Sequence, residues 1–278
     1  MTMETLEGRV AVITGASSGI GFACAKAFAN DGCKLVIASQ NVERLGRAEA
    51  ELVGLGAEVI AVPTDVEQRA DMEHLAERTL DHYGAVHVLV NNAGVYTPGY
   101  AWEISREEWE WVIGVNLWGP INGIQIFTKH LLAQEEAHIV NVASAGGLMT
   151  APCHAPYSAS KHAIVGMSKS LRAEFAMKQA NVGVTLVCPG GVATSISSQF
   201  ETTGPGGQPR GDVEMAPEVS AIFDAIDQTV ETGVSSDDAA AMIRRAILEN
   251  EFWVLPNAEV YHPVFDSELA AIKAGISS

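Results

Sequence analysis

The sequence predicts a three-layer α/β fold, in which helices cover both faces of a doubly wound parallel sheet. Short runs rich in Val and Ile alternate along the chain with amphipathic, Ala- and Glu-rich stretches of helical length. Both faces of these runs are largely apolar, as expected for strands that helices cover on two sides. Right-handed crossovers between successive strands then place the strands parallel in one sheet.

The predicted strands follow one another without an internal repeat or a linker. They cover residues 10–13, 34–37, 58–62, 86–90, 138–142, 182–187 and, as a short last strand, 252–255. We therefore expect a single domain over residues 1–278. The segment from about 195 to 235 departs from the pattern because it is rich in Ser, Thr, Gly, Pro and acids. It follows the carboxyl end of a strand, where open α/β sheets bind ligands, so we predict a substrate loop there.

The bulk composition argues against several classes of partner. The formal net charge is −17, and an acidic surface repels both nucleic acid and anionic membranes. No apolar run reaches the ~18 residues of a membrane span, and the polar, acidic start does not look like a signal peptide. The four cysteines lack metal-binding spacing. We therefore expect reduced thiols, no metal site and a cytoplasmic protein.

A glycine-rich turn joins the first strand to the first helix. The segment reads Thr14-Gly-Ala-Ser-Ser-Gly-Ile-Gly21, with the spacing GxxxGxG instead of GxGxxG. Glycines allow a tight turn and let backbone N–H groups approach a pyrophosphate, whose charge the helix N-terminus favours. A purely structural turn is the alternative, but the position between a first strand and a helix favours a dinucleotide site.

Further polar motifs follow the later strands. They are Asn91-Asn92-Ala93-Gly94, Asn116, Ser144, Tyr157-Ser-Ala-Ser-Lys161, Pro189-Gly190 and Thr194. With the glycine-rich turn, this ordered set resembles the short-chain dehydrogenase/reductase family over roughly residues 6–255. The resemblance implies a Rossmann-like fold and an oxidoreductase that interconverts a secondary alcohol and a ketone with NAD or NADP.

The resemblance also implies which residues form the site. The catalytic residues would be Asn116, Ser144, Tyr157 and Lys161. The cofactor-binding residues would be Gly15, Ser17, Ser18, Gly19, Ile20, Gly21, Ser39, Gln40, Asp65, Val66, Asn92, Ala93, Gly94, Tyr157, Lys161, Pro189, Gly190, Val192 and Thr194. The substrate wall would include Val95, Tyr96, Gly146, Met149, His154 and Phe200, which favours an apolar alcohol or ketone. A helix-capping role for Asp65 is the alternative to contact with adenine.

Tyr157 and Lys161 have a chemical reason to occur together. They lie four residues apart on a predicted helix and so share one face. Free tyrosine has a pKa of about 10, and a nearby ammonium lowers it toward the range that suits an acid–base residue. The Ser144 hydroxyl is placed to hydrogen-bond the substrate oxygen. A lone Tyr-x-x-x-Lys is usually a surface pair, so the prediction rests on the whole ordered set of motifs.

Pro120 follows Asn116 by four residues and has no N–H to donate. In a regular α-helix the Asn116 carbonyl would lack that hydrogen bond and would be free to bind a water. The resemblance implies that this water belongs to a proton relay reaching Lys161. The alternative is that Pro120 begins a new helical segment at its first turn.

The end of the second strand indicates which dinucleotide is bound. It reads Ser39-Gln40-Asn41, where NAD-preferring relatives usually carry an acid on the ribose hydroxyl. Without that acid a 2′-phosphate meets no repulsion. Ser17, Gln40 and Asn41 are able to donate hydrogen bonds to it, and Arg44 lies one turn on. We therefore expect NADP more than NAD.

Two other functions stay open on this fold. They are a non-catalytic dinucleotide-binding regulator and an epimerase or dehydratase. The intact Ser144, Tyr157 and Lys161 argue against the regulator, and the short stretch after Pro189 argues against the epimerase. The resemblance implies a homotetramer associated through helices over 109–132 and 155–177. The tail over 261–278 would cover the pocket or a neighbouring subunit.

Overall fold

The computed structural model describes residues 3–194, 203–209 and 215–276. Its parallel sheet has the strand order β3-β2-β1-β4-β5-β6-β7. The strands are β1 Val10–Thr14, β2 Lys34–Ser39, β3 Val59–Pro63, β4 Val88–Asn91, β5 Ala137–Val142, β6 Val182–Val187 and β7 Trp253–Val254. The predicted doubly wound α/β fold is confirmed.

Helices cover both faces of this sheet. They are α1 Gly19–Asn30, α2 Val42–Gly54, α3 Arg69–Tyr83, α4 Arg106–Ile113, α5 Gly119–Leu131, α6 Ala155–Met177, α7 Pro217–Glu231, α8 Ser236–Glu249 and α9 His262–Ile276. Successive side chains of a strand point to opposite faces, which makes two cores. Ile13 of β1 belongs to the core that contains Phe28 of α1. Its neighbour Val12 belongs to the core that contains Phe127 and Ile164 of α5 and α6.

The strand order reverses beside β1, which pairs with β2 on one side and with β4 on the other. The crossover after β1 therefore runs toward one edge of the sheet, and the crossover after β4 runs toward the other. A crevice opens between the carboxyl ends of these two strands. Open α/β sheets bind their ligands at such a switch point. Thr14 and Asn91, the last residues of these two strands, lie beside it.

The segment predicted as a substrate loop contains a helix, which corrects that prediction for residues 217–231. Helix α7 has Pro217 in its first turn, where the missing N–H costs nothing. Its Val219 and Phe223 are buried and lie one turn apart on one face. Within the described residues, none of the helices is long and apolar enough to cross a membrane.

Candidate active site

A cavity of about 630 Å³ opens at the carboxyl edge of the sheet. It gathers the predicted Ser144 and every predicted cofactor-binding residue except Gly21. These residues are Gly15, Ser17, Ser18, Gly19, Ile20, Ser39, Gln40, Asp65, Val66, Asn92, Ala93, Gly94, Tyr157, Lys161, Pro189, Gly190, Val192 and Thr194. Gly21 and the fully buried Asn116 lie behind this lining.

The glycine-rich turn is held in a conformation that side chains rarely adopt. Gly15 and Gly19 have φ of +64° and +56°, in the left-handed region that glycine enters without a steric penalty. A Cβ at Gly21 would lie 2.6 Å from the Gly15 carbonyl oxygen. Glycine therefore keeps side chains out of the turn at these positions. Gly19 and Ile20 bring the first turn of α1 to the cavity wall. This shape fits a pyrophosphate at a helix N-terminus.

Thr14 joins this turn to the loop after β4, a role that the sequence analysis missed. Its Oγ1 accepts the N–H groups of Asn92 and Ala93 at 3.0 and 3.2 Å. The Asn92 side chain donates in return to the carbonyls of Thr14 and Gly15, at 2.9 and 3.2 Å. These bonds make the two loops one unit. Thr14 is the first residue of the glycine motif, and that position is the sequence signal that could have indicated this role.

We expect Gly21→Ala to lower the free energy of unfolding by about 1–3 kcal/mol, because the new methyl group overpacks the turn. Binding of the dinucleotide should weaken at the same time. Gly46→Ala is the matched control: a Cβ there meets nothing within 4 Å. Since Gly46 lies in α2, it should gain about 0.5–1 kcal/mol. Urea unfolding measures both changes, and equal free energies for Gly21→Ala and wild type would contradict the prediction.

Ser144, Tyr157 and Lys161 converge on the cavity from two elements. Ser144 follows β5, and its Oγ accepts the Gly146 N–H at 3.0 Å and hydrogen-bonds the Tyr157 side chain. Tyr157 and Lys161 lie on α6, with the ammonium 5.6 Å from the centre of the phenol ring. Lys161 Nζ donates to the carbonyl of Val142 at 3.0 Å. The structure thus brings the three predicted side chains together.

Burial, more than the nearby ammonium, sets the pKa of Tyr157. Burial raises it, and the hydrogen bond with Ser144 lowers it in part. Burial therefore outweighs the lowering that Lys161 was expected to cause, and the pKa of Tyr157 is raised overall. Burial also lowers the pKa of Lys161 from 10.5 to about 8. The same desolvation disfavours the charged form of both groups, so the phenol is held protonated as a proton donor.

Lys161→Met should stabilise the fold in a pH-dependent way. Below pH 8 the lysine is charged in the folded and the unfolded state, and its burial costs stability in full. From about pH 8 to 10.5 the folded state releases the proton first, so wild-type stability rises with pH. At pH 7 we expect the free energy of unfolding of the variant to exceed that of wild type by about 2 kcal/mol. This difference should close toward pH 10. The exposed Lys129→Met is the control, and a gap that does not change with pH contradicts the prediction.

Asn116 lies in a π-helical turn, Gly114–Trp118, between α4 and α5. The hydrogen-bond register widens there, since the Gly119 N–H bonds the Gly114 carbonyl five residues earlier. Pro120 lies in the first turn of α5, as the alternative prediction has it. The Asn116 side chain is clamped, because its Oδ1 accepts the Val95 N–H at 2.8 Å and its Nδ2 donates to the Val95 carbonyl at 2.9 Å. A water on the Asn116 carbonyl stays a prediction.

The far end of the cavity is polar. Ser17 and Ser39 share a hydrogen bond of 2.9 Å between their hydroxyls. Gln40 donates to a carboxylate oxygen of Asp65 at 3.1 Å. Asn41 caps α2 by accepting the N–H of Arg44, whose side chain lines the cavity.

Asp65 does not cap a helix. The residue before α3 is Gln68, and the second oxygen of Asp65 accepts the Glu67 N–H at 3.1 Å. The capping alternative is therefore wrong.

The opposite wall of the cavity matches the predicted substrate wall in its described part. Val95, Tyr96, Gly146, Met149 and His154 line it, and Phe200 lies outside the described residues.

Three further residues of this wall were not named individually in the sequence analysis, although they lie in the segments predicted as substrate loop and as tail. Tyr261, at the start of the C-terminal tail, packs against Gly190 and lines the cavity. The tail therefore covers the pocket of its own chain at this point. From α7 the wall also receives Ile226 and Val230. No motif marks these residues individually, so the sequence indicates only the segments that contain them.

Comparison with known proteins identifies the family. The model of the family described as short chain dehydrogenase matches residues 9–204. The chain belongs to the short-chain dehydrogenase family. Among its relatives, 1-deoxy-11-beta-hydroxypentalenate dehydrogenase of Streptomyces exfoliatus is 32% identical over 258 residues. That alignment covers 91% of this chain and 85% of the relative.

Solved structures of other proteins share the fold over most of this chain. A short chain dehydrogenase/reductase from Burkholderia phymatum, in complex with NAD, has a TM-score of 0.92 and 36% identity, covering 98% of this chain and 97% of that one. An alcohol dehydrogenase from Thermococcus sibiricus, complexed with 5-hydroxy-NADP, has a TM-score of 0.71 and 26% identity, covering 89% of this chain and 95% of that one. The predicted family is thus confirmed.

Proposed function

We propose that this short-chain dehydrogenase interconverts a secondary alcohol and a ketone with a nicotinamide dinucleotide, using Tyr157 as its general acid and base. The observation that carries the proposal is the convergence of Ser144, Tyr157 and Lys161 on one cavity whose other end is the thin glycine turn. The dinucleotide, when bound, supplies or accepts the hydride. The residues of the chain have to position the reactants and move the proton.

Each residue has a role that its surroundings support. Tyr157 is buried and neutral, so in reduction its O–H gives a proton to the oxygen of the ketone. Ser144, which already bonds Tyr157, donates to the same oxygen and stabilises the charge that develops on it. Lys161, whose ammonium lies 5.6 Å from the centre of the Tyr157 ring, would hold the nicotinamide ribose of a bound dinucleotide. In oxidation, Tyr157 has to lose its proton first, and the phenolate then takes the proton of the alcohol hydroxyl.

Asn116 supports this group from behind. A Cβ on Gly94 would lie 3.5 Å from both the Asn116 Oδ1 and the Lys161 Nζ. The asparagine also donates to the hydroxyl of Ser160 at 3.2 Å. We propose that it fixes the backbone beside Lys161 and lets the lysine reach water through the relay.

The cavity favours NADP over NAD and an apolar substrate. Ser39 stands where an acid would repel a 2′-phosphate, and Ser17 pairs with it as a second hydroxyl. Arg44 adds a positive charge to this end of the lining. The opposite end, with Val95, Met149 and the aromatic residues, suits a moderately bulky apolar ketone.

We further propose a homotetramer in the cytoplasm. Trp118 leaves 54% of its surface exposed at the α4–α5 junction, which suits a helix face that packs on another subunit. The four cysteines are free and buried, as expected of a protein from a reducing compartment. Sedimentation equilibrium of wild type and Trp118→Ala tests the assembly, and a wild-type monomer would contradict it.

The direct test of the function is a spectrophotometric scan for oxidation of NADPH and NADH with a panel of apolar ketones. We expect turnover with NADPH and at least one aryl or branched alkyl ketone. The reverse reaction should release a proton for each alcohol oxidised. Tight dinucleotide binding without any turnover would instead support the non-catalytic regulator.

A further inference from the structure

Two tyrosines lie side by side in the cavity, although the reaction needs only one. The ring centres of Tyr96 and Tyr157 are 5.4 Å apart, with the ring planes at 88°. This edge-to-face arrangement is a favourable one for aromatic pairs. Both residues line the cavity, and Tyr96 is 6% exposed. Either phenol carries the chemistry to exchange a proton with a substrate oxygen, so their surroundings have to make them differ.

The difference begins at His154, which lies immediately before α6. Its Nδ1 is 2.7 Å from the carbonyl oxygen of Pro152. A carbonyl oxygen only accepts, so Nδ1 carries the hydrogen, and the Nε2 of a neutral imidazole is then an acceptor. The hydroxyl of Tyr96 lies 2.7 Å from that Nε2 and therefore donates to it. Burial lowers the pKa of His154, which keeps the ring neutral and the acceptor in place.

Helix α7 holds the Tyr96 ring from another side. Phe223 stacks on it with centroids 6.1 Å apart and planes within 9°. The same helix is tied to the loop after β4, because the Tyr100 hydroxyl donates to Glu218 at 2.7 Å. The Tyr96 ring is thus fixed by a hydrogen bond at its hydroxyl, by a stack on its face and by its contact with Tyr157.

We propose that Tyr96 is a positioning residue for Tyr157, and that His154 commits the Tyr96 hydroxyl so that Tyr157 alone exchanges a proton with the substrate. The proposal rests on the proposed function of Tyr157. It assigns to Tyr96 and His154 a role that their membership of the substrate wall does not require.

Other titratable groups face the two phenols. Lys161 and Cys188 lie beside Tyr157, on α6 and just after β6, and Cys153 acts on Tyr96 from the loop before α6. Burial, and then the neighbouring Tyr157, raise the pKa of Tyr96 far above its usual value. The arrangement therefore predicts that the Tyr96 hydroxyl stays neutral and donates its hydrogen bond to His154.

The test first removes the acceptor, the His154 side chain, and then removes the hydroxyl of Tyr96. His154→Leu should lower kcat about tenfold, because the Tyr96 hydroxyl loses the His154 acceptor and is able to turn toward Tyr157 or the substrate oxygen. It should also move the acid–base midpoint of the kcat profile to lower pH, since a new donor stabilises the Tyr157 phenolate. Adding Tyr96→Phe should return the midpoint to the wild-type value and recover part of the lost kcat, because the misplaced hydroxyl is gone. His154→Gln, which keeps an acceptor for the Tyr96 hydroxyl, should keep the wild-type pH midpoint of kcat.

If His154 and Tyr96 had a purely structural role, the losses of kcat from the two substitutions would add, and the pH midpoint of kcat would not move. Either result overturns the proposal. If His154→Leu does not fold, Tyr96→Phe and Tyr96→Leu replace it. Tyr96→Phe keeps the ring and should keep the wild-type pH midpoint of kcat, whereas Tyr96→Leu removes the ring and should shift that midpoint. Equal behaviour of the two variants overturns the proposal.

A readout without turnover separates this proposal from the proposed function. Phenolate absorbance is titrated in each variant, with Tyr157→Phe as the baseline that isolates Tyr157. A midpoint that falls in His154→Leu and returns in the double variant supports the positioning role even in an enzyme without turnover. An identical titration midpoint in all variants would contradict the positioning role. Ketone reduction by wild type would still support the proposed function.

Discussion

Tyr157→Phe is expected to lower kcat for ketone reduction by about 10³-fold, within the range that general acid catalysis supplies. Phenylalanine keeps the ring that packs edge-to-face on Tyr96. It removes the hydroxyl that bonds Ser144 and would protonate the substrate oxygen. The KM for the dinucleotide should change little, because the other lining residues stay in place. Steady-state kinetics with a ketone of the active panel gives both constants.

Tyr83→Phe is the matched control for this variant. Its hydroxyl donates to the Leu35 carbonyl at 3.4 Å, away from the cavity. Burial raises the pKa of Tyr83 to about 12, so the control removes a phenol that is also perturbed. It should keep the wild-type kcat. A Tyr157→Phe enzyme that retains more than a tenth of the wild-type kcat, with an unchanged melting temperature, would contradict the role of Tyr157 as the acid.

Local sequence patterns were enough to predict the sheet, and the resemblance to the short-chain dehydrogenase/reductase family predicted most of the lining of the cavity. The run Val10–Ile13 is apolar on both faces, and the strand β1 that contains it is buried at every residue. The glycine motif predicts the turn because only glycine adopts the positive φ of Gly15 and Gly19 without strain. Tyr157 and Lys161 share a helix, so their spacing alone predicts a common face.

Features that depend on distant partners could not be predicted in this way. Tyr96 and His154 are 58 residues apart, and no spacing rule joins them. Helix α7 is stabilised by Phe223 against Tyr96, a contact between segments far apart in sequence. The pKa of Tyr157 is raised because the folded chain buries it, and burial outweighed the effect expected of Lys161. Each of these depends on tertiary packing, which a local pattern does not carry.

The dinucleotide preference should change in the Ser39→Asp variant. The new carboxylate would lie beside Ser17, whose hydroxyl is 2.9 Å from the present Ser39 hydroxyl. It would repel a 2′-phosphate by about 2 kcal/mol after allowance for solvent, and it would accept the ribose hydroxyl of NADH in a charged hydrogen bond. Together these effects should shift the ratio of kcat/KM from NADPH toward NADH by about 100-fold.

Ser39→Ala separates the charge from the loss of the hydroxyl. It breaks the pair with Ser17 without adding a negative group, so both dinucleotides should lose a similar, small factor. Arg44→Ala should weaken NADPH alone, because the positive charge at this end of the lining matters only to the phosphate. Wild type that already prefers NADH, or a Ser39→Asp variant whose ratio equals that of Ser39→Ala, would show that the absence of an acid at this strand end does not select the phosphate.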